Sequence, residues 1–228
     1  MYKFETHCHT KESSACGEVP AKQLVELYLK KGFDGVVITD HFNLRNSSEL
    51  MGSVTGEVTF VEQVERLFAG YRVAKEVAKD RLIVLAGLEL RFDNNYNDYL
   101  VYGMEEHHLH DNPGIFGWGI EKFSGYARRQ GFLVVQAHPF RNNMEIVNPN
   151  YIDMLEVYNG HPRQFSRNTI AVSWAELHNL PGSSGSDFHR EGDEGKGGVL
   201  LNEGPQNMEH FINMMRRGPL LISRWKGE

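Results

Sequence analysis

The chain predicts an α/β fold, a closed barrel of alternating strands and helices, with an open doubly wound parallel sheet as the alternative. Three observations lead there. Short apolar runs and amphipathic stretches alternate about seven times along 228 residues, the pattern that builds a parallel sheet covered by helices. No shift in composition divides the chain, so residues 1–228 read as one domain, and at this length a closed (β/α) barrel fits better than an open sheet. Histidines and carboxylates gather where the strands end, the rim at which barrels carry their chemistry.

Met1 to Glu5 alternates apolar and polar residues and reads as a first strand, running into Thr6-His7-Cys8-His9-Thr10. Side chains on a strand repeat every two residues, so His7 and His9 project to one side and Cys8 to the other. Two imidazoles at a strand end offer one divalent ion two ligands. Pro20 to Lys31 carries Leu24, Leu27 and Tyr28 on one helical stripe and stops at Gly32. Phe33 to Thr39 is a continuous apolar run, as in a strand covered on both faces, and delivers Asp40-His41 to the same end as His7 and His9.

Phe42 to Thr59, with Asn43, Asn46, Ser47, Ser48 and Gly52, reads as a loop. Val61 to Asp80 reads as one long amphipathic helix carrying Val64, Leu67, Phe68 and Tyr71. Leu82 to Leu88 is a third strand delivering Glu89, and Asn97 to Gly103 a fourth, followed by a polar loop with His107, His108 and His110. A helix from Ile120 to Gln130 leads to the strand Phe132 to Ala137, which ends in His138-Pro139. The strand Asp153 to Tyr158 ends in Asn159-Gly160-His161. After a helix from about Gln164 to His178, Pro181 to Gly185 leads into Ser186-Asp187-Phe188-His189, which repeats the two-residue spacing of the opening pair. Val199 to Leu201, a helix from Pro205 to Arg217, and Leu220 to Ser223 follow.

Composition removes several classes of function. The longest apolar runs are too short to cross a bilayer, and no charged-then-apolar leader precedes the first strand, so a cytoplasmic protein without a membrane partner is expected. A formal net charge of −6 argues against a non-specific nucleic-acid binder, whose affinity comes from neutralising phosphates. Small-molecule or short-oligonucleotide substrates fit, and no stable nucleic-acid partner is expected. Cys8 and Cys16 do not make a disulfide framework. Gly192 to Gly198 lacks phosphate-loop spacing and reads as a flexible loop, while Met208, Met214, Met215 and Cys8 read as packing.

His7, His9, His41, Glu89, His138, Asp187 and His189 all fall at or just past a strand end. Any one strand-end histidine is more simply a hydrogen-bonded structural residue. Seven such groups on one rim leave several imidazoles and two carboxylates in need of partners, and divalent cations satisfy them together. So many ligands imply at least two ions, with Glu89 the most plausible bridge between them, the arrangement of two-metal phosphoester hydrolases. Mixed His and carboxylate ligands suit Zn, Mn or Fe.

In the same order, the chain carries THCHT, VVITDHF, AGLEL, QAHPF and GSSGSDFH. This series resembles the signature of the polymerase and histidinol phosphatase (PHP) domain phosphoesterases, which runs H-x-H-T, I-T-D-H, G-x-E, A-H-P and G-S-D-x-H, over nearly the whole chain. The resemblance implies a distorted (β/α)7 barrel with two or three divalent metals at the strand C-termini, hydrolysing phosphate esters. It implies His7, His9, Glu89 and Asp187 for one metal, His41 and His189 for a second, and Glu89 with His138 toward another. Two departures stand out. Where many relatives carry an Asp or His five or six residues beyond H-x-H, this chain has Ser14, Ala15, Cys16 and Gly17, with Glu12, Cys16 and Glu18 as nearby donors. Relatives with three metals tend to carry a His between the third and fifth strands, and none of His107, His108 and His110 directly follows the fourth.

Metals so held would bring the pKa of a bridging water toward neutrality, aim the hydroxide at phosphorus and neutralise phosphoryl charge, with no Ser or Cys nucleophile. Arg141, three residues past His138, is placed to clamp a phosphate oxygen pair with its planar fork, a solvated loop arginine being the plain alternative. Arg45, Arg91 and Arg190 are weaker candidates in the same loops. His161 is the candidate to protonate a leaving alkoxide, and Asp40 to orient His41 or a metal-bound water. The leading expectation is a phosphatase or phosphodiesterase for a small phosphorylated metabolite, nucleotide or phosphopeptide. An amidohydrolase-like barrel, which also opens on H-x-H, and a non-catalytic metal-binding module are the alternatives. Specificity is expected in the loops Phe42 to Gly56, Arg91 to Asn95, Glu105 to Trp118 and Arg141 to Asn150.

Overall fold

Strand β1 (Tyr2–Cys8) pairs in parallel with β2 (Gly35–Ile38), and the two are joined by α1 (Ala21–Lys30), which buries Ala21, Leu24, Val25 and Tyr28. The structure, a computed structural model, describes residues 1–51 and 58–223. A short β3 (His41–Phe42), then α2 (Leu44–Met51), α3 (Phe60–Leu67) and α4 (Ala69–Ala78) precede β4 (Ile83–Arg91). Next come β5 (Asp98–Tyr102), α5 (Glu106–His110), α6 (Gly119–Gln130) and β6 (Leu133–Gln136). The remaining elements are β7 (Met154–Asn159), α7 (Asn168–His178), β8 (Gly182–Gly185), β9 (Gly197–Leu201), α8 (Met208–Arg216) and β10 (Leu220–Ser223).

The sheet runs β10-β9-β1-β2-β4-β5-β6-β7-β8, with β3 against β4. Strands β1, β2 and β4 to β8 form the wall of a distorted, nearly closed barrel. Closure comes just past β8, where Phe188 bridges to Cys8 in parallel: His9 N donates to Phe188 O at 3.0 Å and Phe188 N to His7 O at 3.2 Å. An open doubly wound sheet would leave β8 at a free edge, so that alternative is set aside. Phe4, Val37, Leu100, Tyr102, Leu133, Val135 and Met154 pack inside the wall against Phe211 and Met215 of α8. Two further clusters sit on its outside, one under α1 and α4 and one against α3, α6 and α7.

The structure corrects the expected all-parallel sheet. Strand β5 runs antiparallel to both β4 and β6, and β9 and β10 are antiparallel as well. Residues 92–97 are the cause, being too few for a parallel crossover, which needs roughly a dozen residues or more. The loop expected from Phe42 to Thr59 contains α2, started by Asn43, whose Oδ1 accepts from Asn46 N at 2.7 Å. Asn and Ser there mark a helix start as well as a loop. The part of that loop covering 52–57, including Gly52 and Gly56, lies outside the described residues. Likewise, the polar loop after the fourth strand contains the short helix α5.

The single helix expected from Val61 to Asp80 is two helices. Thr59 and Glu62 form a capping box at the start of α3, and Phe68 (φ −90°, ψ 1°) breaks the path before α4. The break seats α4 against the segment after β1. Ser13 Oγ donates to Arg66 O at 2.7 Å and accepts from Gly70 N at 2.9 Å, and a Cβ on Gly70 would collide with the Thr10 side chain.

Strand β1 also carries a bulge. Glu5 pairs with Val36 but Cys8 with Ile38, so one extra residue of β1 is accommodated between them. Such an insertion switches which alternate residues face inward. Phe4 therefore belongs to the barrel core while His7 and His9 face the same interior at the rim. The Glu5 carboxylate holds the irregular segment: its Oε1 accepts from Thr6 N and His7 N at 3.0 Å and from Ser186 N at 2.8 Å, and Tyr28 OH donates to Oε2 at 2.7 Å.

Candidate metal centre

At the C-terminal ends of the strands, residues from β1, β3, β4 and the segments after β6 and β8 meet. His7 Nε2 lies 3.4 Å from Glu89 Oε1 and 3.4 Å from Asp187 Oδ1. His9 Nε2 lies 3.4 Å from Glu89 Oε2 and 3.2 Å from Asp187 Oδ1. His41 Nδ1 is 2.8 Å from Glu89 Oε2, and His138 Nε2 is 3.0 Å from Glu89 Oε1. His189 joins them, with one ligand atom each from His9, His41 and His189 within 4.8 Å of one another. All seven expected donors are thus brought together. His138 and Asp187 hold their places at positive φ, 28° and 52°, a conformation that costs energy for residues with a Cβ.

The donor set fits divalent cations. His7 Nε2, His9 Nε2, His41 Nδ1, Glu89 Oε2 and His138 Nδ1 are shut away from solvent without a hydrogen-bond partner among the described residues. Each buried polar atom left this way costs about 1–3 kcal/mol, so the cluster is poorly satisfied by protein groups alone. Nitrogen and carboxylate donors on one point are what such cations take.

Neighbouring groups fix which ring nitrogen is free. Glu156 Oε1 faces His7 Nδ1 at 2.9 Å, so that nitrogen carries the proton and Nε2 keeps its lone pair for the centre. His189 Nδ1 donates to the Asp187 carbonyl at 2.9 Å with the same result. Ser14 Oγ donates to Asp40 Oδ1 at 2.6 Å, accepts from His41 N at 3.0 Å, and stands 3.4 Å from His9 Nδ1.

Charges in the cluster balance burial. Burial raises the Glu89 carboxyl, but the imidazoles of His41 and His7 and the His138 hydrogen bond outweigh it and hold it well below the usual range. Asp187 is likewise well below its usual value, burial being outweighed by His7, Arg141 and His189. Burial and the neighbouring His41 and His189 drive His9 well down, leaving it a neutral imidazole. Although burial raises the Cys16 thiol, His41 and His189 bring it down to about 6.

Asp40, Arg141 and His161 are placed differently from one another. The Asp40 carboxylate accepts from Thr10 N and Thr10 Oγ1 at 2.7 Å and from Ser14 Oγ, and burial pushes it up to about 7. It meets the centre through the Ser14 hydroxyl, without touching the His41 ring. Arg141 is engaged with the protein: Nη2 donates to Asp187 Oδ2 at 2.5 Å and Asn159 Oδ1 at 2.7 Å, and Nε to Ser166 Oγ at 3.2 Å. His161 stands with its ring 5.2 Å from that of His189. Burial and the charges of Arg141, His189 and Arg163 outweigh Asp187 and pull it down to about 4.

A cleft of about 620 Å³ opens onto the centre, lined among others by Cys16, Arg45, Arg91, Tyr96, Arg141 and Arg190. Its outer arginines are paired: Arg91 with Asp98 at 2.6 and 2.7 Å, Arg45 with Glu49 and Arg190 with Glu18 at 2.7 Å. A larger groove of about 1180 Å³ lies between α4, β4 and α8 and holds none of the seven donors. Sequence reasoning missed Glu156, Glu5, Ser14 and Asp98. Glu156 carries a signal that could have found it, an acid inside the apolar run Met154-Leu155-Glu156-Val157. Besides accepting from His7, it accepts from His138 N at 2.8 Å and Asn159 Nδ2 at 2.9 Å.

Residues 5–204 match the model of the PHP domain family. A search of curated proteins returns no match. Among solved structures, the chain is similar to a two-domain Bacteroides vulgatus protein described as containing a predicted PHP-like metal-dependent phosphoesterase, at TM-score 0.68 and 16% identity. The match covers 97% of this chain but 64% of that one, less than two thirds of its length. PsfC from Pseudomonas syringae matches at TM-score 0.67 and 16% identity, over 99% of this chain and 92% of that one. An amidohydrolase from Chromobacterium violaceum with bound sulfate matches at TM-score 0.51 and 16% identity, over 84% and 89% of the two chains. At these identities the likenesses concern the fold.

Proposed function

Because this chain belongs to the PHP domain family, we propose that it is a metal-dependent hydrolase of phosphate esters, acting on a small phosphorylated metabolite, nucleotide or phosphopeptide. The observation that carries the reading is the convergence of seven donors, five of which, His7, His9, His41, Glu89 and His138, keep a buried atom with no hydrogen-bond partner among the described residues. His7, His9, Glu89 and Asp187 would hold one ion, His41 and His189 with Glu89 a second, and His138 with Glu89 faces a third position; Zn, Mn and Fe all suit these donors. Divalent cations supply Lewis acidity, activating water and neutralising charge that builds on the phosphoryl oxygens.

The protein's own part is to aim these donors. Glu156 holds the His7 ring and the His138 backbone, and the Asp40–Ser14 pair fixes the start of β3. Arg141 neutralises the outer oxygen of Asp187 and leaves Nη1 as the donor for a phosphoryl oxygen. His161, grouped with Asp187 and His189, is the candidate to protonate a leaving alkoxide or to complete that group of donors.

The test pairs metal content with turnover. Mn, Fe and Zn are quantified per chain in protein purified without chelators, and the same sample is assayed against phosphomonoesters, phosphodiesters, lactones and amides. At least two equivalents with chelator-sensitive phosphate release is the expected result. Bound metal with lactone or amide cleavage alone would replace the reading with amidohydrolase chemistry, metal with no turnover would leave a binding module, and no metal under any loading would overturn it.

A further inference from the structure

The turn between β1 and α1 carries a thiol to the mouth of the metal centre. It is tied down on both sides: Ala15 N donates to Asn46 Oδ1 at 2.8 Å, and Glu18 N to His189 O at 2.9 Å. Gly17 lies so close under it that an added Cβ would fall 2.6 Å from Thr10 O, which presses the turn onto the rim. Cys16 therefore lines the cleft alongside His41 and His189.

Independently of that thiol, the imidazoles it faces belong to a set that asks for a ligand. His9, His41 and His189 each offer a nitrogen within 4.8 Å of the others, and His9 Nε2 is fully buried with no partner among the described residues. We propose that Cys16 is a thiolate ligand of the outer metal position, shared with His41 and His189. This rests on the metal-dependent reading above and adds a donor to it.

On ligation, the S–H bond gives way to a sulfur–metal bond and the proton leaves to solvent, with no change of oxidation state. A sulfur donor among imidazoles selects Zn, Co or Fe(II) over Mn or Mg, which favour oxygen ligands. The outer position would thus be the thiophilic one, and the inner position, with Glu89 and Asp187, the less selective. Cys8 cannot substitute: it is buried on the other face of β1, where its Sγ donates to Val37 O at 3.2 Å.

Cobalt(II) reports the bond directly. The full chain is stripped of metal, reloaded with cobalt and checked for equivalents bound, folded state and thiolate-to-cobalt charge-transfer absorption in the near ultraviolet. The wild type is expected to show the band, and Cys16→Ser and Cys16→Asp to lose it while still binding cobalt at the inner position. Bound cobalt without the band in the wild type, or a band that survives in Cys16→Ser, overturns the proposal and leaves the metal-dependent reading standing. A folded chain that takes up no cobalt overturns both.

Discussion

At the scale of single residues, the groups that would meet a metal were legible in the sequence, and the groups that hold them were not. His7, His9, His41, Glu89, His138, Asp187 and His189 betray themselves by standing where a strand ends. Glu156 reaches His7 from 149 positions away, a contact that no local pattern records. Arg141 was legible as a rim arginine, but not its partner Asp187, which lies 46 positions on. Glu156→Gln keeps the shape and removes the charge that fixes the His7 tautomer, so metal affinity is expected to fall about 10–100-fold, read by metal titration of the folded variant. Asp193, whose carboxylate accepts from the His189 amide without being one of the seven donors, supplies a pH test. Burial raises its carboxyl, but hydrogen bonds from Arg163 at 2.6 and 2.9 Å and from the Arg190 amide outweigh it, and its pKa is lowered. A depressed pKa contributes stability above the unfolded value of about 3.9 and loses it as pH falls through the lower folded value. Asp193→Asn should therefore lower the Tm at pH 7, and the gap from wild type should close toward pH 2 to 3.

At the scale of elements, periodicity located most strands and helices, while the places where one element yields to another eluded it. The amphipathic stripe runs unbroken across Phe68, so nothing in it announces that α3 stops and α4 begins. The reason lies in Thr10 and Ser13, which press on Gly70 from a different part of the chain. The reversed direction of β5 was legible in principle, since residues 92–97 leave no room for a crossover, and the alternation of strand with helix concealed it. The bulge in β1 is invisible to a pattern of period two, because it depends on the register with β2. Gly70→Ala would drive a methyl group into Thr10, whose hydroxyl is bound to Asp40 at 2.7 Å and is not free to move aside. The expected loss is about 1–3 kcal/mol, measured by denaturant unfolding, and greater than for Ala at the equally helical but open Gly125.

At the scale of the whole molecule, the order of the motifs along the chain carried the barrel, while the reversal of β5 within its ten-stranded sheet follows from the short link between β4 and β5. Among the described residues no helix is long and apolar enough to cross a membrane. The wall is joined at its rim by the bridge between Cys8 and Phe188, and each partner stands between two of the metal-facing residues: His7 and His9 on one side, Asp187 and His189 on the other. The seam of the barrel and its candidate metal centre are therefore one place. A cation there would act as a clasp, stitching the first strand to the last parallel one across some 180 residues of chain. Loading would then slow hydrogen exchange at the His9 and Phe188 amides far more than in the outer helices, and exchange unchanged by metal would count against it. For a metal-loaded chain, letting go of the cation and loosening the ring would then be the same motion, and starving it of cations would loosen the fold at the candidate site itself.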